Sequence, residues 1–172
     1  MAAARSYVIG LGANLGDRFQ TLRSALEQLA SAGAILQVSS VYETAPVGPP
    51  QPDFLNAAVL LETTLEPLSL LQQLLRIERA HGRERRERWG PRTLDLDLLH
   101  SPDLVVDDPA LTLPHPELAR RAFALVPLLD VAPDARDARS GAPYAELLER
   151  LDTSPLRRLS ERLQSQRNHN AL

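Results

Sequence analysis

Between Gly82 and Leu99 the sequence reads Gly-Arg-Glu-Arg-Arg-Glu-Arg-Trp-Gly-Pro-Arg-Thr-Leu-Asp-Leu-Asp-Leu-Leu and sets two kinds of chemistry side by side. The first half is dense in arginine: Arg83, Arg85, Arg86, Arg88 and Arg92, with the only tryptophan, Trp89, among them. The second half alternates as a strand does, with Leu94, Leu96 and Leu98 on one face and Asp95 and Asp97 on the other. Residues at i and i+2 of a strand lie on one face about 6–7 Å apart, close enough for two carboxylates to share metal ions. By spacing alone, such an Asp-x-Asp is either a solvated strand face or a metal site. Two acids behind a cluster of guanidinium groups suit a site where Mg²⁺ and arginine together neutralise a polyphosphate.

Composition narrows the chemistry further. A chain of 172 residues reads as one domain with room for a proper core. A formal net charge of −3 argues against a general binder of nucleic acid or acidic membrane. With no cysteine, disulfides and thiolate metal sites are excluded. No apolar run approaches the ~20 residues of a membrane span, and the first residues lack the long apolar region of a signal peptide. A cytoplasmic protein is therefore expected, with neither nucleic acid nor membrane among its partners; a monomer is the expectation for its assembly, though no residue pattern sets it. All 19 basic residues are arginine. The absence of lysine excludes a Walker A loop and a protein-kinase strand lysine, so any phosphate chemistry rests on arginine, backbone amides and metal.

The elements that must position these residues follow in order. Tyr7–Gly12 reads as a strand, ending in Gly10, Gly12 and the turn Asn14-Leu15-Gly16. The Gly-x-Gly run matches a dinucleotide fingerprint only loosely and is weighed as a tight strand-to-helix turn. Asp17 is an N-cap candidate for a helix to about Ala30, with Leu22, Leu26 and Leu29 at helical spacing. Ile35–Glu43 reads as a second strand. The proline-stiffened stretch from Thr44 through Pro46 and Val47 to Asp53 is either a rigid connector or the wall of a pocket.

Phe54–Thr63 reads as the third strand, with Phe54 and Asn56 on one face and Leu55, Ala57, Val59 and Leu61 on the other. An aromatic beside an amide can grip a flat heterocycle, and it can equally be a core phenylalanine with a structural asparagine. Pro67 starts a helix with Leu68, Leu71 and Leu75 as its apolar stripe, and Gly82 stops it. Thr93–His100 is the fourth strand. This β-α-β, β-α-β order, with right-handed crossovers, gives an α+β ferredoxin-like βαββαβ sandwich. Its sheet is antiparallel, with these two helices packed on one face and the other face available to a ligand.

Downstream, Val105–Asp108 suggests a short strand, and Leu111–Glu117 leads into a helical segment carrying Arg120, Arg121 and Phe123. Phe123, Leu125, Val126 and Leu129 read as core. His115, held between two prolines, is either a surface histidine or a phosphate donor. Tyr144–Leu151 completes the extra C-terminal helices of a domain spanning 1–151. Residues 152–172 form an extension of unassigned function, expected as a loosely docked helix with a frayed end.

Three blocks together closely resemble the 6-hydroxymethyl-7,8-dihydropterin pyrophosphokinases of folate biosynthesis. They are Thr44-x-Pro-Val-Gly with Gln-Pro-Asp-Phe-Leu-Asn56, Arg83-x-Arg with Arg-Trp-Gly-Pro-Arg-Thr-Leu-Asp-Leu-Asp97, and Leu113-Pro-His-Pro with Arg-x-Phe123. The resemblance runs from about Tyr7 to Tyr144 and implies the same sandwich fold. It implies transfer of the β,γ-pyrophosphate of ATP to the pterin's hydroxymethyl oxygen, with release of AMP. On this resemblance Asp95 and Asp97 hold two Mg²⁺ ions, and Phe54 and Phe123 sandwich the pterin. Asn56 and the loop of Thr44, Pro46 and Val47 read its polar edge. His115 and Arg121 contact phosphates, while Arg83 and Arg92 belong to a loop that closes with Trp89 over bound ATP and pterin.

The segment Gly48-Pro-Pro-Gln-Pro is one residue shorter than the usual family loop, and many relatives carry tyrosine where Phe54 stands. Two other readings compete with the transferase: a Mg²⁺-dependent phosphohydrolase, which Asp-x-Asp also suits, and a non-catalytic ligand-binding module on the same fold.

Overall fold

The computed structural model describes residues 3–46, 48–82 and 93–164. Its elements are, in order, β1 (Arg5–Ala13), α1 (Arg18–Leu29), β2 (Ala34–Val38), β3 (Tyr42–Thr44), β4 (Phe54–Thr63), α2 (Pro67–Ala80), β5 (Asp95–His100), β6 (Val106–Asp108), β7 (Leu111–Leu113), α3 (Ala122–Val131), α4 (Tyr144–Glu149) and β8 (Leu156–Arg158). The main sheet runs β5-β1-β4-β3-β8, with β2 also paired to β4, and all its pairings are antiparallel. This is the βαββαβ sandwich implied by the sequence, with its second strand divided into β2 and β3.

Alternation along the strands decides the layers. Tyr7, Ile9 and Leu11 of β1, Leu55, Ala57 and Val59 of β4, and Leu96 and Leu98 of β5 join one core with α1 and α2. The Asp17 side chain accepts the Gln20 N–H at 3.1 Å and caps α1, a contact generally worth about 1 kcal/mol. In α2 the buried residues are Leu70, Leu74, Ile77 and Glu78, while Leu68 is exposed. The stripe expected through Leu68, Leu71 and Leu75 is thus rotated. Leucines at 68, 70, 71, 74 and 75 offer two overlapping stripes, and the one that includes Ile77 carries on along the buried side.

The second face of the sheet is half covered. Val8, Ala58 and Leu99 pack there with Leu118, with Leu125, Leu128 and Val131 of α3, and with Tyr144 of α4. A bulge between Val8 and Ile9, where Ile9 pairs with Leu98 but Val8 with His100, lets both Leu99 and His100 reach this layer. The His100 and Tyr144 rings meet edge to face, with centroids 5.4 Å apart. Burial holds the His100 pKa below its ordinary value.

The second strand expected over Ile35–Glu43 breaks because residues 39–41 face only residues 57–58. Ser39 repairs the ladder there: its N–H donates to Ala58 O, and its Oγ accepts the Ala58 N–H at 2.8 Å. Among the described residues, the helix expected after Asp152 is also absent. Leu156–Arg158 instead forms β8, pairing Tyr42 with Arg158 and Thr44 with Leu156, and Leu163 beyond it is buried in the main core. Leu156, Leu159 and Leu163 keep helical spacing, but pairing with β3 overrides that local pattern.

Candidate active site

One rung of the second face crosses five strands and carries four of its polar residues. Arg158 of β8 pairs with Tyr42, Tyr42 with Asn56, Asn56 with Gly12, and Gly12 with Asp95. On the adjacent rung Gly10 lies between Ala58 and Asp97. A Cβ on Gly12 would stand 3.5 Å from Asn56 Oδ1 and 3.9 Å from Asp95 Cβ. The bare glycine therefore clears the floor between an amide and a carboxylate. Neither Gly10 nor Gly12 belongs to a turn, since β1 continues to Ala13. Their role was legible as glycine spaced at i and i+2 inside a strand, a mark of close approach.

On one side of this floor, Asn56 Nδ2 donates to Thr44 Oγ1 at 2.8 Å, and both side chains are buried. Phe54 is directly opposite Thr44 and is partly exposed, as is Pro46. The loop between Thr44 and Phe54 is anchored from the β1–α1 turn. Buried Asn14 donates through Nδ2 to Gln51 Oε1 at 2.8 Å and to Pro52 O at 3.1 Å, while Arg18 Nη1 donates to Asp53 O at 2.9 Å. Asn14 and Arg18 were not singled out in the sequence, because a turn asparagine and a helical arginine are commonplace there.

On the other side are the carboxylates and a histidine. His115 Nδ1 accepts the Glu117 N–H at 3.1 Å, so the ring proton sits on Nε2, which is the donor. Its backbone N–H donates to Leu99 O at 2.9 Å, fixing it to β5. Burial, and then the positive charge of Arg121, hold the His115 pKa below its ordinary value, opposed by Glu117 and Asp95. The ring is therefore neutral at pH 7. The Arg121 guanidinium stands 5.7 Å from the centroid of the Phe123 ring, within cation–π range, and Phe123 is partly exposed where a core position was expected. Asp95, Asp97, His115, Arg121 and Phe123 thus collect at the β5 side, and Thr44, Phe54 and Asn56 at the β3–β4 side. Val47, Arg83, Trp89 and Arg92 lie outside the described residues.

The donor set fits a hard cation. Two partly exposed carboxylates at i and i+2 offer oxygen ligands, and the first of them, Asp95, lies beside bare Gly12. Among the described residues no group of three or more His, Cys, Asp or Glu forms a closed cage. Mg²⁺ commonly takes one or two carboxylates and completes its shell with water and phosphate oxygens.

Residues 8–133 match the family model described as 7,8-dihydro-6-hydroxymethylpterin-pyrophosphokinase. The chain belongs to this pyrophosphokinase family. A Synechocystis 2-amino-4-hydroxy-6-hydroxymethyldihydropteridine pyrophosphokinase is 46% identical over 147 residues, covering 84% of this chain and 75% of the relative. The Methylorubrum extorquens pyrophosphokinase of the same name is 44% identical over 158 residues, 90% of this chain and 98% of its own length. Among solved structures, a Plasmodium falciparum HPPK-DHPS chain aligns with a TM-score of 0.69 at 17% identity, covering 87% of this chain. That likeness bears on the fold alone, and this chain spans about half the length (46%) of that protein. No described helix is long and apolar enough to cross a membrane.

Proposed function

We propose that this pyrophosphokinase transfers the β,γ-diphosphate of ATP to the hydroxymethyl oxygen of 6-hydroxymethyl-7,8-dihydropterin and releases AMP, as a step of folate synthesis. The observation that carries the reading is the rung through Asn56, Gly12 and Asp95. It sets an amide suited to a heterocycle's edge across a bare glycine from a carboxylate suited to a metal-bound polyphosphate. A pterin between Phe54 and Phe123, its edge read by Asn56, Thr44, Pro46 and Val47, would direct its hydroxymethyl group toward the carboxylates. The oxygen attacks the β-phosphorus, the bond from that phosphorus to the α,β-bridging oxygen breaks, and AMP carries that oxygen away.

Transfer of this kind needs alignment and charge neutralisation more than a strong base. Asp95 and Asp97 would hold Mg²⁺, two ions on the family pattern, which when bound offset the triphosphate charge. Neutral His115 donates from Nε2 and Arg121 from its guanidinium to phosphate oxygens. On the family pattern Arg83 and Arg92 would add guanidinium donors for the same phosphates, with Trp89 on the pterin side. A hydrolase would consume ATP without a pterin. A binding module would need neither the carboxylates nor the arginines.

The test is AMP formation with and without the pterin. AMP appearing only when ATP, Mg²⁺ and pterin are all present is expected. ATP consumption at the same rate without pterin would reassign the site to hydrolysis.

A further inference from the structure

We propose that the C-terminal strand β8 is a positioning element for the pterin side of the site, acting through Glu43. This inference rests on the function proposed above and concerns a segment beyond residues 8–133, the part that matches the family. β3 has only three residues, yet it carries Thr44 and forms the edge against which Phe54 and Asn56 are set. Without β8 it would be a short, bare edge. With it, Leu156, Thr44 and Phe54 share one rung, and Arg158, Tyr42 and Asn56 the next.

Side chains reinforce the pairing from both faces. Glu43, between Tyr42 and Thr44, is bonded by Arg157 of β8 at Oε1 and by Arg18 of α1 at Oε2, the latter at 2.8 Å. The same Arg18 Nη1 donates to Asp53 O, immediately before Phe54. The C-terminal segment is thus linked through Arg157, Glu43, Arg18 and Asp53 to the residue proposed to stack on the pterin. Its two arginine contacts hold the Glu43 pKa below the usual carboxylate value.

On the other face, Arg158 and Arg162 donate to Ser40 Oγ at 3.1 and 3.0 Å. The Ser40 N–H and the Tyr42 hydroxyl both donate to Asp130 of α3, at 3.2 and 2.6 Å. The Leu159 N–H donates to Val41 O at 2.8 Å and continues the strand register past Arg158. β3 is therefore clamped on both sides immediately beside Thr44. The carboxylates lie on β5, three strands farther on, with β4 and β1 between. Loosening β8 should disturb pterin contacts and leave the ATP side alone.

The experiment compares Arg157→Ala, Arg157→Lys, Arg18→Ala and the Arg18→Ala/Arg157→Ala double variant in the full chain. AMP formation, KM for each substrate and Tm are measured. Wild-type turnover that depends on pterin tests the proposed function itself, separately from the variants. In Arg157→Ala the KM for pterin should rise about fivefold, on the order of 1 kcal/mol. Its KM for ATP and its kcat should stay within about twofold, and Arg157→Lys should recover most of the loss. The double variant should lose less than the product of the two single losses, because both arginines act on Glu43. An unchanged pterin KM in Arg157→Ala, or equal rises for pterin and ATP with a lowered Tm, would overturn the proposal.

Discussion

Along one face of three neighbouring strands the molecule changes character within four residues. At the end under α3, the layer is Val8, Ala58 and Leu99, closed by Leu125 and Leu128. At the other end the same strands present Gly12, Asn56 and Asp95. The β1–β4 ladder runs unbroken through both ends, and β5 follows β1 with one register shift between Val8 and Ile9, so the scaffold that holds the polar end is the scaffold buried at the apolar end. The difference lies chiefly in side chains. Where apolar groups fill the face, a helix seals it; where glycine replaces them, the floor stays open and polar groups line it.

Substitutions at the two ends should therefore act differently, one on stability and the other on ligand binding. The largest effect is expected from Leu128→Ala, which empties a fully buried position beneath α3. Chemical denaturation should show a loss of about 2–5 kcal/mol in stability, with kcat per folded molecule unchanged. A comparable fall in kcat would mean that the apolar end does more than hold the strands. A smaller effect is expected at the polar end from Phe54→Ala. Calorimetry should show pterin binding weakened by about 1–3 kcal/mol, by analogy with stacking of bases on aromatic side chains, and ATP binding measured alone barely changed. Equal weakening of both ligands would make Phe54 a support rather than a stacking surface.

Most of the framework was legible because strand periodicity is a strong signal. β4 has the bounds Phe54–Thr63 that its composition implied, and its two faces divide as alternation required. The Asp17 cap and the Gly82 stop, with φ of 75° at Gly82, were equally readable. What escaped depends on register. The break at Ser39 comes from one extra residue opposite Ala57 and Ala58, which no local pattern announces. β8 is three residues long and owes its place to Glu43 and Ser40, far away in sequence. At the site, Asn56 and the two aspartates could be paired by face from sequence. Their alignment across Gly12, and the anchoring of the loop by Asn14, needed the pairing of β1 with both neighbours.

The central claim is that the polar end of this face is where metal-held ATP reacts, and Asp97→Asn tests it most directly. The side chain keeps its shape and loses its charge on a strand whose buried neighbours, Leu96 and Leu98, are untouched. Initial rates of pterin-dependent AMP formation should be measured across a range of free Mg²⁺ for wild type and variant, beside thermal unfolding of each. In Asp97→Asn kcat should fall by about 10²–10³-fold, the scale of losing one preorganised charge-stabilising group. Half-saturation should come at higher Mg²⁺, and the unfolding transition should stay close to that of wild type. Near-normal turnover with an unchanged Mg²⁺ dependence would contradict the claim.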